Sequence, residues 1–166
     1  MQVHSDPTLT GLLDRVTADQ LPEGRGLEAW RSLLLAHASL IRTLDTDLQA
    51  RTGLALADFD VLAQLSLAGG ELRMTELAAR ALISRSGMTR RCARLVDQGL
   101  LRRTSEDLDG RGVVVGLTDA GVQRLVDVAP VHAQGVADLF VVKLDDSELG
   151  VLEQALGKVR VNCTFG

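Results

Sequence analysis

The chain has 166 residues, enough for one domain or two small units sharing a core, with about 70% of its unfolded surface buried. It is 46% hydrophobic and 24% charged, ordinary for a soluble globular protein, and its scarce aromatics (three Phe, one Trp, no Tyr) argue against stacking-based recognition of single strands or RNA. A net charge of −4 speaks weakly against nucleic acid, but a phosphate backbone answers to a nearby patch more than to distant acids screened by salt. Two cysteines, Cys92 and Cys163, are too few for a disulfide framework or a paired-cysteine zinc site. No apolar run approaches the roughly 18–20 residues of a membrane span. The N-terminus lacks the basic start and apolar middle of a signal peptide, so a reducing cytoplasm is the expected compartment.

Residues 1–26 read as an arm with a short amphipathic helix marked by Leu9, Leu12, Leu13 and Val16, ended by the segment from Leu21 to Gly26. From Leu27 to about Arg51, Leu27, Trp30, Leu34, His37, Ile41, Leu44 and Leu48 alternate spacings of three and four, a heptad seam widened by Leu33 and Leu40. A helix of roughly 35 Å exceeds what one small domain needs to cover itself, and it reads as a dimerisation helix. The alternative is a long helix buried within one chain.

Thr52-Gly53 closes that helix, and a second is expected from about Ala57 to Leu67, apolar on most sides with Asp60 as its exception. Gly69-Gly70 ends it, and Leu72-Arg73-Met74 could add a short strand to a sheet further along. Thr75 is the expected N-cap of the next helix, followed by a turn through Leu82-Ile83-Ser84-Arg85. The helix after the turn starts at Ser84 or Ser86 and stops at Gly99, with Met88, Cys92, Leu95 and Val96 inward. Ser86, Thr89, Arg90 and Arg94 then lie clear of the core, suited to entering a major groove.

Leu100–Ser105 and Val113–Leu117 read as paired strands around a loop from Glu106 to Gly112, with Arg111 at its tip between Gly110 and Gly112. A loop-tip arginine suits a narrow minor groove, and Asp107 or Asp109 could anchor it. A plain solvated turn is the alternative. Helix, turn, helix and two strands make a winged helix-turn-helix. Arg80, Arg85, Arg90, Arg91, Arg94, Arg102 and Arg103 fall within one window, residues 80–103, opposed there only by Asp97, the electrostatic footprint of a phosphate-binding face.

Thr118 caps a helix of some twenty residues, with Val122, Leu125, Val126, Ala129, Ala133, Val136 and Phe140 at helical spacing. Pro130 should kink or split it. Asp145 caps the last helix with Glu148 in a reciprocal capping box. The fold class is therefore mostly α with a small β-wing (α+β). A winged lobe over 53–118 is flanked by dimerisation helices at 27–52 and 119–161, with a tail at 162–166.

Several segments, in order, carry a resemblance. They are Phe59-Asp60-Val61-Leu62, Met74-Thr75-Glu76-Leu77-Ala78, Met88-Thr89-Arg90 and the run from Leu95 through Gly99 to Arg103. Asp107-Leu108-Asp109-Gly110-Arg111 and Leu117-Thr118-Asp119-Ala120-Gly121 complete the set. From about Leu27 to Val161 the chain resembles the MarR family of bacterial winged-helix regulators. The resemblance implies a homodimer on palindromic double-stranded DNA, acting as a repressor relieved by a small, often aromatic or phenolic, ligand. By position it puts Ser86, Thr89, Arg90 and Arg94 on the groove-facing surface, and Asp109 and Arg111 at the wing's acid–arginine pair. With Arg85, these form the expected DNA-contacting set.

An effector cleft would draw on Trp30, His37 and Asp60, with an arginine of the winged lobe pairing Asp60 and coupling ligand to lobe position. Core packing for Trp30 and a structural buried pair for Asp60 are the plainer alternatives. Peroxide-sensing members use a cysteine in the N-terminal helices, which this chain lacks. Cys92 reads as a small core residue, and Cys163 in the tail could oxidise. His4, His37 and His132 lack ligand spacing, so no metal and no cofactor are expected. His132 could bond carbonyls freed by the proline. No catalytic residues are apparent, since there is no nucleophile elbow and no phosphate-cradling glycine loop. Two alternatives remain: a winged-helix module that binds acidic protein surfaces, and a redox-modulated regulator of the same fold.

Overall fold

A computed structural model describes residues 25–106 and 113–161. The expected helix at residues 9–16, the wing tip with Asp109 and Arg111, and the tail with Cys163 lie outside them. The chain divides into two compact units, Met1–Leu40 and Ile41–Gly166.

Helix α1 runs from Arg25 to Thr52, starting two residues before its apolar seam. Along that seam Leu48 is buried and Leu44 half-buried, while Ile41, His37, Leu34 and Trp30 are exposed. Among the described residues of the seam, only Leu48, at its C-terminal end, is therefore fully buried. Gly53, at φ 72°, ends the helix by donating its N–H to the Gln49 carbonyl. Three residues later, at Leu56, the backbone N–H donates to the Asp45 carboxylate of α1 at 2.7 Å. That side chain satisfies a free amide at the start of α2, Leu56–Leu67, which has no cap of its own.

Helix α2 is central. Val61, Leu62 and Leu65 are fully buried, and Phe59 nearly so. It closes as a Schellman motif: Gly70 N–H donates to Leu65 and Gly69 N–H to Ser66, with Gly69 at φ 89°. Strand β1, Glu71–Arg73, follows directly. Helix α3, Met74–Arg80, begins directly after the strand's last residue, so its N-cap is Arg73 and the expected cap at Thr75 is two residues too late. The strand occupies the extended backbone that an N-cap needs, and the helix starts from there.

Helix α4, Arg85–Asp97, is followed by β2, Leu101–Glu106, and β3, Val113–Leu117. The sheet is antiparallel in the order β1-β3-β2, which places the expected third strand beside β3. An extra residue between Arg103 and Ser105 makes a bulge that increases local twist where β2 leaves for the wing.

Helix α5, Asp119–Leu139, passes through Pro130 as a single helix, so of the two expected outcomes, a kink or a split, the split does not occur. Pro130 lies on an exposed side of the helix, where water can take the carbonyl that loses its partner. A 3-10 turn at Val141–Lys143 leads to α6, Asp146–Val161. There the capping box is complete: Glu148 N–H donates to Asp145 and Asp145 N–H donates to Glu148, both at 2.9 Å.

The core gathers Leu48 and Leu54 with α2, Leu77 and Ala78 of α3, Met88, Cys92 and Leu95 of α4, Val115 and Leu117 of β3, and Val128 of α5. Phe59 stacks on His132 with ring centroids 4.5 Å apart, joining α2 to α5. This aromatic contact replaces the expected bond from His132 to freed carbonyls. Burial holds the His132 pKa below its ordinary value, partly countered by the charge of Asp60.

Apolar surface remains open on Val122 and Val126 of α5, on Val141 and Val142, and on Val151, Leu156 and Val159 of α6. Although the sequence has no unbroken apolar run of that length, Asp119–Lys143 is long and apolar enough to cross a membrane by length and composition. Its polar side chains work against that use, because Gln123–Asp127 and Gln134–Asp138 form hydrogen-bonded pairs one turn apart along it.

Candidate nucleic-acid interface

The helix-turn-helix is closed by a second Schellman motif. Ile83 N–H donates to Ala78 and Leu82 N–H to Ala79, with Leu82 rather than glycine in the left-handed conformation at φ 53°. A left-handed L-residue costs roughly 1–2 kcal/mol. The cost is borne at the turn that sets the angle between α3 and α4. Ser84 then caps α4 by accepting the Gly87 N–H at 3.2 Å.

Stability alone would place an acid in the first turn of α4, facing the positive end of the helix dipole. None is there, and Arg85 and Ser86 occupy it instead. The free amides and the arginine together favour an anion such as phosphate.

The inner stripe of α4 is Met88, Cys92 and Leu95, all essentially inaccessible. Arg85, Ser86, Thr89, Arg90 and Arg94 are exposed on the remaining surface, as expected. Thr89 donates its hydroxyl to the Arg85 carbonyl at 2.9 Å. Its outward face therefore offers a methyl group and an acceptor lone pair, suited to a thymine methyl or a base amine. Arg90 has no such internal tie among the described residues and projects freely.

Arg94 differs. Its Nη2 donates to both oxygens of Asp58, at 2.6 and 2.8 Å, and Arg91 Nη1 donates to the same Oδ1 at 2.6 Å. Asp58, in the first turn of α2, is only 5% exposed. The acid paired with the winged lobe's arginines is therefore Asp58. Asp60, to which that role was assigned, is half-buried and accepts a long 3.4 Å bond from Gln64 on its own helix. The signal for Asp58 was present in the sequence: it stands four and seven residues before Leu62 and Leu65, on the core stripe of α2.

Of the residues expected to line an effector cleft, Trp30 is 55% exposed, so the alternative of core packing does not hold within this chain, and His37 is exposed too. Arg102, expected near phosphate, also engages the sheet. Its Nη1 donates to the Leu117 carbonyl and its Nη2 lies 3.9 Å from Glu71. Arg103 stays exposed on the same strand. Cys92 is buried beneath α4, and that burial pushes its thiol up to about 11 despite the opposing charges of Arg91 and Arg103. No group of His, Cys, Asp and Glu among the described residues is arranged to hold a metal ion.

The wing is tied to α5 at one corner. Thr118 accepts the Gly121 N–H at 3.0 Å and donates to the Gly99 carbonyl at 2.6 Å, while its own N–H donates to Leu100. Gly121 packs so closely that a Cβ there would overlap the Leu100 carbonyl oxygen. Arg124, a turn later, donates to the Thr52 carbonyl and so holds α5 against the end of α1.

Comparison with known proteins agrees with this architecture. Residues 52–112 match the model of the MarR family. No match is found among curated proteins. Among solved structures, AbsC of Streptomyces coelicolor, a MarR family transcriptional regulator, is 30% identical with a TM-score of 0.77, over 86% of this chain and 96% of that one. Sco3205 of the same organism, a MarR family transcriptional regulator solved in complex with DNA, is 30% identical with a TM-score of 0.79, over 88% and 92%. BpsR of Bordetella bronchiseptica, whose DNA binding is regulated by 6-hydroxynicotinic acid, shares the fold at 21% identity and a TM-score of 0.71, over 80% and 98%. A winged helix-turn-helix with these relatives over most of their length settles the assignment: the chain belongs to the MarR family of transcriptional regulators.

Proposed function

We propose that the protein is a homodimeric repressor that reads a palindromic operator in double-stranded DNA and releases it on binding a small aromatic or phenolic ligand. The observation that carries the reading is the exposed row Arg85, Ser86, Thr89 and Arg90 on the N-terminal half of α4, beside a helix start that lacks any acid. Such a row fits the major groove, with Arg90 placed for bidentate contact to a guanine edge. Arg111 then extends the contact into the flanking minor groove, with Asp109 anchoring and aiming it.

The apolar residues left open on α5 and α6 supply the dimer face. Two copies would present two reading helices to half-sites roughly 34–36 Å apart. The ligand arm of the proposal draws on BpsR, a distant relative regulated by 6-hydroxynicotinic acid. Sco3205, at 30% identity and bound to DNA, supports the DNA arm more strongly.

The test is selection from a random duplex library followed by sequencing of the retained pool. Enrichment of one inverted repeat with half-sites a helical turn apart is expected. An unenriched pool would reject sequence-specific reading, and enrichment of a single half-site would reject the dimer.

A further inference from the structure

We propose that Asp58 is a positioning residue that withholds Arg94 from DNA while fixing the reading helix to α2. The inference rests on α4 being the DNA-contacting helix. It reassigns one of that helix's charges.

Asp58 is 5% exposed, so its carboxylate depends on protein donors. Arg94 supplies contacts to both oxygens and Arg91 to one. If Arg94 left for a phosphate, Oδ2 would lose the one donor it has among the described residues, and the buried charge would rest on Arg91. Arg91 reaches Oδ1 and not Oδ2, and its own Nε is buried with no acceptor among the described residues. A phosphate at the surface offers Arg94 a screened, partly hydrated contact, whereas Asp58 offers a short charge-assisted pair in a drier setting. Arg94 therefore stays on Asp58.

Geometry gives the pair a second role. Arg91 and Arg94 lie one turn apart on α4 and converge on a single carboxylate in the first turn of α2. Two guanidinium contacts at one point oppose both sliding and rotation of α4. Ser86, Thr89 and Arg90 are thereby held at a set angle, and base reading falls to them.

The measurement is fluorescence anisotropy of the selected duplex over about 50–200 mM KCl, where each phosphate neutralised by the protein contributes about 0.9 to the log–log salt slope. Arg94→Gln should leave the slope of the wild type unchanged. Asp58→Asn should steepen it by about 0.9 for each arginine released and tighten binding to non-specific duplex. Asp58→Asn with Arg94→Gln should take back about 0.9 of that increase. A purely structural Asp58 would lower the melting temperature and leave every slope alone, which would overturn the proposal. So would a slope flattened by about 0.9 in Arg94→Gln alone, the sign of a direct phosphate contact. If Asp58→Asn does not fold, Arg94→Gln decides. Absence of salt-dependent duplex binding by the wild type would overturn this inference and the functional reading together, whereas a flattened Arg94→Gln slope overturns this inference alone.

Discussion

Replacing Gly121 with alanine tests the corner through which the wing and reading helix are joined to α5. The added methyl would overlap the Leu100 carbonyl oxygen and come within 3.1 Å of its carbon and 3.3 Å of Leu117 Cδ2. Two of these neighbours are backbone, so no rotamer change clears the space. The same Leu100 carbonyl accepts from the Thr118 N–H and hydroxyl, each at 3.1 Å, so moving it strains the cap of α5 as well. Overpacking costs about 1–3 kcal/mol and each weakened hydrogen bond about 1 kcal/mol. Alanine's better helix propensity returns about 1 kcal/mol. The net expectation is a loss of about 2–4 kcal/mol, or a fall of about 5–15 °C in melting temperature. Urea unfolding at fixed protein concentration should show a lower midpoint with an unchanged slope. A loss below about 0.5 kcal/mol would mean that the corner yields without cost, and the close packing would then explain nothing about why glycine stands there.

Other expectations follow from single side chains. Arg90→Ala should cost about 1–3 kcal/mol of operator affinity and relax preference at one base pair, while equal loss on every duplex would make Arg90 a phosphate contact. Because the folded His132 pKa is lowered, the unfolded state binds more protons between that value and about 6.5. Stability from this group is full above about pH 6.5 and is lost as pH falls through the folded value. Relative to the wild type, His132→Gln should show a weaker loss of stability between about pH 7 and 5.5, and an identical profile would exclude His132 as the source. With its thiol raised to about 11, Cys92 should resist Ellman's reagent at neutral pH in a Cys163→Ser background until the protein unfolds. Rapid labelling of native protein would restore a redox role for it.

The parts of the fold legible in the sequence are those whose cause is local. Asp145 and Glu148 lie three residues apart, and Gly99 closes the helix that precedes it, so the cap and the stop can be read from neighbours alone. Thr118 was legible for the same reason. Thr75 is not the cap because the strand before α3 supplies the extended residue at Arg73, a consequence of sheet pairing with β3. Leu82 gave no signal, since its left-handed backbone is imposed by two helices meeting at a turn that glycine would ordinarily fill.

The reading surface shows the same division. Helical spacing separated Arg90 from the core stripe, and the structure leaves Arg90 exposed. Spacing put Arg94 on the same surface, which is where it lies, but its engagement depends on Asp58, 36 residues earlier in the chain. A pattern of three and four cannot report a contact at that separation. It could have flagged Asp58 as an acid on an apolar stripe, where a buried cation is the usual remedy. Asp60 is an acid on the same mostly apolar helix, and spacing within that helix does not say which of the two carboxylates meets a distant arginine.

The central claim is that this chain binds duplex DNA as a dimer through α4 and the wing. Titration of the selected palindrome, with stoichiometry and salt dependence read together, tests it most directly. Two chains per duplex are predicted, with affinity falling steeply as salt rises, at about 0.9 in slope per phosphate neutralised. One chain per duplex, or affinity indifferent to both salt and sequence, would contradict it.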